Sequence, residues 1–360
     1  MPADSADGDR TEALLAAVAD ARAAGEPVEI RGGGTKRFYG EPASGTPLDV
    51  GGHRGVISYE PSELVLTARA GTPLAEIEGL LAAHGQMLAF EPPLFDAGAT
   101  LGGCVACGLS GPRRPYAGAV RDFVLGVRLV DGRAEVGRYG GEVMKNVAGY
   151  DVSRLVTGAL GTLGLLLDVS LKVLPAPEHE ATCAVELDAA RAIERFNELA
   201  GRPLPLSAAA WEDGRARLRL SGSAAGVRAA LAELGGDELE AQEATTYWSD
   251  LREQRVPFFA RPGTLWRLSV RPAAPPLPVA GDWLIDWGGG QRWLRSSASA
   301  EEIRAAAAAA GGHATVFREP AAGVPVFHPL PDALLALHRR VKAALDPAGL
   351  FNPGRLYAGL

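Results

Sequence analysis

An α+β fold in two layered parts is expected, and three observations predict it. Over residues 1–176, strand-length apolar runs and helical segments mix without the regular strand–helix–strand alternation of a doubly wound parallel sheet. After Pro175-Ala176-Pro177 the order becomes strand–helix–strand–strand–helix, which predicts a small ferredoxin-like layer of sheet and helices. Two glycine-rich stretches, 31–36 and 97–111, each follow a strand-like run. The predicted division is 1–176 for the first domain, 177–345 for a cap that meets substrate or partner, and 346–360 for a segment returning to the first domain.

The elements follow in order. A helix begins near Thr11, where Asp9 and Glu12 resemble a capping box; Leu14, Leu15 and Val18 form its apolar face and Gly25 ends it. Residues 27–31 are a short strand entering the first glycine stretch, and 63–70 are another strand. Thr72 as N-cap and Pro73 in the first turn open a helix that buries Ile77, Leu80 and Leu81 and stops at Gly85. Residues 87–90 form a strand before the second glycine stretch, and 123–130 with 134–138 form a hairpin around Asp131-Gly132. Residues 163–174 close this half as a strand.

Beyond the proline boundary, strands are expected at 183–187, 206–211, 216–221, 265–270 and 283–287, and helices at 189–199, 224–234, 301–310 and 332–345. Residues 272–278 read as a proline-rich loop, and no internal repeat is evident.

Composition narrows the function. The 360 residues are 47% hydrophobic with net charge −7, enough to bury a core and without the basic stripe that nucleic acid requires. No apolar run reaches the roughly 20 residues of a membrane span. The acidic first residues carry no hydrophobic signal segment, and three cysteines make no disulfide framework, so a reducing, cytoplasmic setting is expected. Cys104 and Cys107 form a CxxC without a second pair, and small residues wanted among glycines explain them better than a zinc or redox site.

The glycine stretches carry the chemistry. Gly32, Gly33, Gly34 and Thr35 between Arg31 and Lys36, and Gly98-Ala99-Thr100-Leu101-Gly102-Gly103, offer backbone amides at close range. Successive exposed N–H groups form an anion nest, and two such loops can hold a pyrophosphate between them, which predicts a dinucleotide cofactor. Lys36 and Arg37 read as surface charges or cofactor contacts. Arg113 and Arg114 are open between phosphate, a partner subunit and a solvated turn.

These motifs resemble the vanillyl-alcohol-oxidase/PCMH flavoproteins. Residues 31–36 resemble their first pyrophosphate loop and 98–103 their second. Gly118-Ala119-Val120-Arg121-Asp122 within 116–128, Gly161-Thr162-Leu163-Gly164 and Phe351-Asn352-Pro353-Gly354-Arg355 resemble their later signatures. Residues 108–114 and 145–151 narrow the likeness to the FAD-binding subunits of glycolate oxidases.

The resemblance implies a PCMH-type FAD-binding domain of two α/β subdomains and non-covalent FAD. It further implies cofactor contacts from Gly108, Leu109, Gly111, Lys145, Asn146, Gly149, Tyr150, Asp151, Gly161, Gly164, Leu165, Asn352 and Arg355. Lys145 either places positive charge near the flavin or is satisfied by a carboxylate. Trp287 and Trp293, around three glycines, either cover the flavin or form a glycine hairpin with core tryptophans. A C-terminal helix stop also explains Pro353-Gly354.

Catalytic relatives carry a longer substrate domain with a histidine-rich metal site. Here His313, His328 and His338 form no HxxH, and no metal ligand set or catalytic base is evident. The resemblance therefore implies oxidation of a small 2-hydroxy acid, glycolate, in a complex with a larger FAD subunit and an iron–sulfur subunit, in the cytoplasm or peripherally at the inner membrane. A self-sufficient FAD oxidoreductase and a non-catalytic scaffold are the rival readings.

Overall fold

The structure, a computed structural model, describes residues 8–141, 150–320 and 322–360. The first half is built in two sub-layers. In the smaller, helix Thr11–Ala24 packs Leu14 and Val18 against a parallel strand pair, Val28–Arg31 and Thr46–Asp49. The C-terminal segment joins this pair through a parallel bridge from Val28 to Phe351.

The larger sub-layer is an antiparallel sheet in the order Val56–Glu60, Val65–Arg69, Leu165–Lys172, Val124–Val130, Val136–Gly140. Leu66, Ala68, Val127 and Val169 pack on Ile77 and Leu81 of helix Leu74–Ala82 and on Leu101 and Val105 of helix Leu101–Cys107. Strand Leu165–Lys172 is covered on both faces, with Leu165 and Leu167 facing the smaller sub-layer. That explains its near-continuous apolar run, the pattern of a strand with no solvent face.

The C-terminal half is one eight-stranded antiparallel sheet. Its order is Asp237–Glu238, His179–Glu186, Arg215–Gly222, Leu206–Glu212, Asp282–Asp286, Gln291–Ser296, Thr264–Ser269, His313–Arg318. It comprises two four-stranded units with the same ferredoxin-like strand order, joined edge to edge where Trp211 faces Ile285. The first unit carries helices Ala189–Ala200 and Ala224–Leu234 as expected. The second repeats the topology with no repeat visible in the sequence, because one of its two helices is missing. Pro272, Pro275, Pro276 and Pro278 exclude a helix there. The 1% exposed Arg292 holds the loop in its place by donating to the carbonyls of Ala274, Pro275 and Gly289.

Several local expectations were corrected, and the strand expected at 87–90 is a two-residue strand at Gln86–Met87. Helix Thr11–Ala24 has Arg10 at its N-cap, while Asp9 still accepts from the Thr11 amide at 2.9 Å. Thr72 does not cap the next helix, since its hydroxyl accepts from the Gly55 amide at 2.9 Å instead. The second glycine stretch contains a helix, Leu101–Cys107, despite Gly102 and Gly103. Thr100 caps it by accepting from the Gly103 amide, and a Cβ on Gly102 would lie 2.8 Å from the Ala70 Cβ, so glycine lets the helix seat on the sheet.

The halves share a core in which Tyr39, Leu109 and Leu160 pack with Phe258, Trp293 and Phe317. Charges seal the same seam. Glu91 accepts from Arg113 and from Arg219 of the C-terminal sheet, and Glu253 accepts from the Phe95 amide at 2.7 Å. Arg113 is therefore buried in the seam rather than solvated.

Candidate functional site

A cleft opens between the two sub-layers of the first half, enclosing about 850 Å³ including the solvent at its mouth. Arg31, Gly32, Gly33, Gly34, Thr35 and Lys36 form one wall, and Thr100, Gly102 and Gly103 another. Gly161, Gly164, Asn352 and Arg355 close it. The residues expected from four separate segments thus meet around one space.

The two glycine stretches play different parts. A Cβ on Gly33 would stand 1.5 Å from the Gly98 carbonyl oxygen, and one on Gly32 would stand 2.5 Å from Thr100 Oγ1. The loops touch backbone to backbone, which only glycine permits. The amides of Gly33, Gly34, Thr35 and Lys36 have no acceptor among the described residues and form the free nest. The second stretch uses its amides internally. Those of Leu101 and Gly102 donate to Thr72 and Ala70 carbonyls at 2.9 and 2.7 Å, Gly98 to Asp96, and Gly103 to Thr100. Its contribution is shape: Gly103 has only Thr100 Oγ1, at 3.2 Å, near its missing side chain.

Lys36 is buried rather than a surface charge. Its Nζ donates to Thr35 Oγ1 and the Leu94 carbonyl and lies 5.5 Å over the Phe95 ring. Glu29 accepts from Arg31 at 2.5 Å and faces Arg37 at 3.2 Å, which holds its carboxyl below the usual range. Asn352 is the hinge of the site: its Oδ1 accepts from Ile30 at 2.8 Å and its Nδ2 donates to Leu160 at 2.7 Å. Arg355 donates to the Arg37, Tyr39 and Glu41 carbonyls, so the C-terminal segment returns to the first loop as expected. The nest, the Lys36 charge and the glycine-lined walls fit a pyrophosphate-bearing cofactor.

Other expected contacts lie elsewhere. Ala99 and Leu101 are buried behind the wall, and Gly98 supports the first loop. Leu165 points away into the small-layer core, and Leu166 lines the cleft instead. Gly108 lines a second chamber, while Leu109 and Gly111 line a small pocket beside it. Tyr150 is 92% exposed, and Asp151 caps helix Val152–Val156. Neither lines the cleft. Lys145, Asn146 and Gly149 lie outside the described residues. Cys107 lines the cleft, but burial pushes the Cys107 and Cys104 thiols up to about 11 and about 12, which leaves them unreactive. No cluster of three metal-ligating side chains occurs among the described residues.

Family models match an FAD binding domain over residues 8–140 and the C-terminal domain of FAD-linked oxidases over residues 327–356. Glycolate oxidase subunit GlcE of Escherichia coli (strain K12) is 48% identical over 98% of this chain and 99% of its own length. The chain belongs to the glycolate oxidase GlcE family. FAD is its cofactor, and it is an FAD-dependent oxidoreductase of the kind that acts on CH–OH groups. Glycolate oxidase subunit GlcD of Bacillus subtilis (strain 168) is 32% identical over 43% of this chain and 33% of its own length. An alkyldihydroxyacetonephosphate synthase structure superposes with a TM-score of 0.66 at 16% identity, over 97% of this chain and 76% of that one, which shows the shared fold. No helix among the described residues is long and apolar enough to cross a membrane.

Sequence reasoning missed Asp286. It lines the small pocket of about 340 Å³ together with Arg267 and Gln291. It is 3% exposed, accepts from the Trp287 amide at 2.7 Å and from Gln291 at 3.2 Å, and burial pushes its carboxyl up to about 7. A lone Asp before a tryptophan carries no such signal in a sequence, since the burial comes from the seam between the halves.

Between about pH 4 and 7 the folded chain keeps a proton that the unfolded chain releases. Stability from this group is thus present at low pH and lost as pH rises through 7. In urea titrations, Asp286→Asn is expected to lose less stability than the parent between pH 5 and 8, by up to about 3 kcal/mol. Parallel pH slopes for the two chains would contradict this.

Proposed function

We propose that this chain is the FAD-holding subunit of a glycolate-oxidising complex, working with a larger FAD subunit and an iron–sulfur subunit. The observation that carries the reading is the cleft with its free amide nest, in a chain that matches a glycolate oxidase subunit over nearly its whole length. Bound FAD supplies the two-electron acceptor for hydride leaving the CH–OH carbon. The chain's own residues bind and orient it. The Gly33–Lys36 amides and the Lys36 charge take the pyrophosphate, and Asn352 and Arg355 clamp the nest against the C-terminal segment.

FAD is held without a covalent bond in this reading. The first loop offers no histidine, and the one cleft thiol is protonated. Electrons leave through partners, because each iron–sulfur cluster takes about four cysteines and the chain has three. The domain division 1–176, 177–345 and 346–360 and a cytoplasmic setting, with any membrane contact made through partners, belong to the same reading.

The experiment takes the purified chain with FAD, then the chain with both partners, each with glycolate and a dye acceptor. Turnover is expected in the mixture and a small fraction of it in the chain alone. Acid precipitation is expected to release the yellow colour into the supernatant. Equal turnover in both preparations would replace this reading with a self-sufficient oxidoreductase, and colour left on the pellet would refute the non-covalent hold.

A further inference from the structure

The five-stranded sheet of the first half turns one face away from helices Leu74–Ala82 and Leu101–Cys107, and its register lays two rows of residues across that face. The first row runs Arg69, Asp168, Arg128, Arg138, each directly opposite the next on the neighbouring strand. The second, two positions away on every strand, runs Thr67, Ser170, Gly126, Gly140. Gly126 and Gly140 carry no side chain, and the face sinks there into a trough enclosing about 740 Å³ including the solvent at its mouth. Buried Thr67, Ser170 and Asp168 form its floor, with Arg128 and Arg138 beside them and exposed Ile57 at the rim. The trough shares no residue with the FAD cleft.

Charge along the first row does not balance. Arg69 is held by Asp9 at 3.3 Å. Asp168 is the one acid among the described residues that line the trough, and its carboxylate is already engaged. Its Oδ2 accepts from Arg128 Nη1 at 2.5 Å, and its Oδ1 faces His53 Nε2 at 3.5 Å. The other Arg128 nitrogens have no acceptor among the described residues. The Arg138 side chain makes no hydrogen bond, ion pair or ring contact with any described residue, although its strand partner is Arg128. Like charges directly opposite in a sheet are destabilising, and negative charge arriving between them offsets the repulsion. The second row adds a neutral donor. Thr67 Oγ1 and Ser170 Oγ lie 2.9 Å apart, so one hydroxyl hydrogen joins them and the other is left to donate.

We propose that this trough is a binding site for a small oxyanion, a carboxylate or a phosphate, held by Arg138 and the unengaged edge of Arg128 over the hydroxyl pair. A guanidinium pairs with either group through two parallel N–H donors, and Arg138 presents that fork with no internal competitor. The sunken floor favours a small ligand over an acidic protein surface, which a flat face would suit better. The site does not depend on the FAD reading, because none of its residues enters the cleft.

The test is calorimetric titration of the chain, saturated with FAD, with sodium phosphate and separately with sodium oxalate, at an ionic strength held constant with chloride. Saturating FAD occupies the amide nest, the other place a phosphate would take. Saturable binding of one anion per chain is expected. Arg138→Gln should weaken it about tenfold or more, the loss for hydrogen bonds made by a charged group. Arg138→Lys should keep part of the affinity, and Ser170→Ala should weaken binding less than Arg138→Gln. Arg191→Gln, which removes one charge from an exposed helix of the C-terminal half, should leave it unchanged. Binding of oxalate alone identifies a carboxylate ligand, and of phosphate alone a phosphate ligand. No saturable binding of either, or equal affinity in Arg138→Gln and the parent, overturns this inference. Flavin occupancy read in the same samples decides the FAD reading separately.

Discussion

Gly33→Ala is expected to abolish FAD retention and to destabilise the chain, whereas Gly103→Leu should abolish FAD retention in a chain that still folds. The Gly33 Cβ would sit 1.5 Å from the Gly98 carbonyl oxygen, and both partners are backbone, so no rotamer change relieves the clash. Separating the loops disrupts the nest and costs about 3 kcal/mol or more, at or above the usual range for an overpacked site. At Gly103 only the Thr100 hydroxyl lies close, at 3.2 Å, and the remaining space is the cleft. A leucine there fills the cofactor's volume and leaves the sheet untouched. Flavin absorbance after gel filtration and a urea midpoint separate the two outcomes. Full flavin occupancy in Gly103→Leu would place the cofactor elsewhere.

Lys342→Met is expected to produce the largest loss of stability, about 3–5 kcal/mol, the range for leaving a buried charge without its partner. Lys342 Nζ donates to Asp346 at 2.7 Å, to the Thr162 carbonyl at 2.6 Å and to the Phe351 carbonyl at 2.8 Å. The Asp346 side chain is 0% exposed and also accepts from the Leu350 and Phe351 amides. One lysine thus ties helix Asp332–Leu345 to the segment that carries Asn352 into the cleft. The double variant Lys342→Met with Asp346→Asn should recover part of the loss, since the asparagine still accepts an amide hydrogen and carries no charge. A single variant within about 1 kcal/mol of the parent would show that the buried pair is dispensable, which the desolvation of Asp346 argues against.

Much of the fold was legible because its signals are local. Helices Ala224–Leu234 and Asp332–Leu345 fall at the expected bounds, and the hairpin around Asp131-Gly132 pairs Val130 with Val136. Apolar spacing and turn residues act over a few positions, so these elements can be read from short windows. Helix Leu101–Cys107 was not legible. Gly102 and Gly103 argue against helix by propensity, and the Thr100 cap and the seat against Ala70 outweigh them.

The candidate site divides in the same way. The sequence by itself determined which segments build the cleft, because Gly32 to Thr35, Gly102, Gly103, Gly161 and Asn352 stand where chain must approach chain without a side chain between or must be clamped by one amide. It also determined the FAD-type fold, since those segments occur in a fixed order along the chain. Only the tertiary structure decided that the first loop supplies the free amides while the second spends its own internally. It also decided that Leu166 lines the cleft while Leu165 turns into the small-layer core, because a one-residue step in a strand reverses the face and nothing local sets which face is covered. The burial of Lys36 and the raised carboxyl of Asp286 arise where distant segments meet. Desolvation and charge proximity depend on that meeting, not on neighbours in the chain.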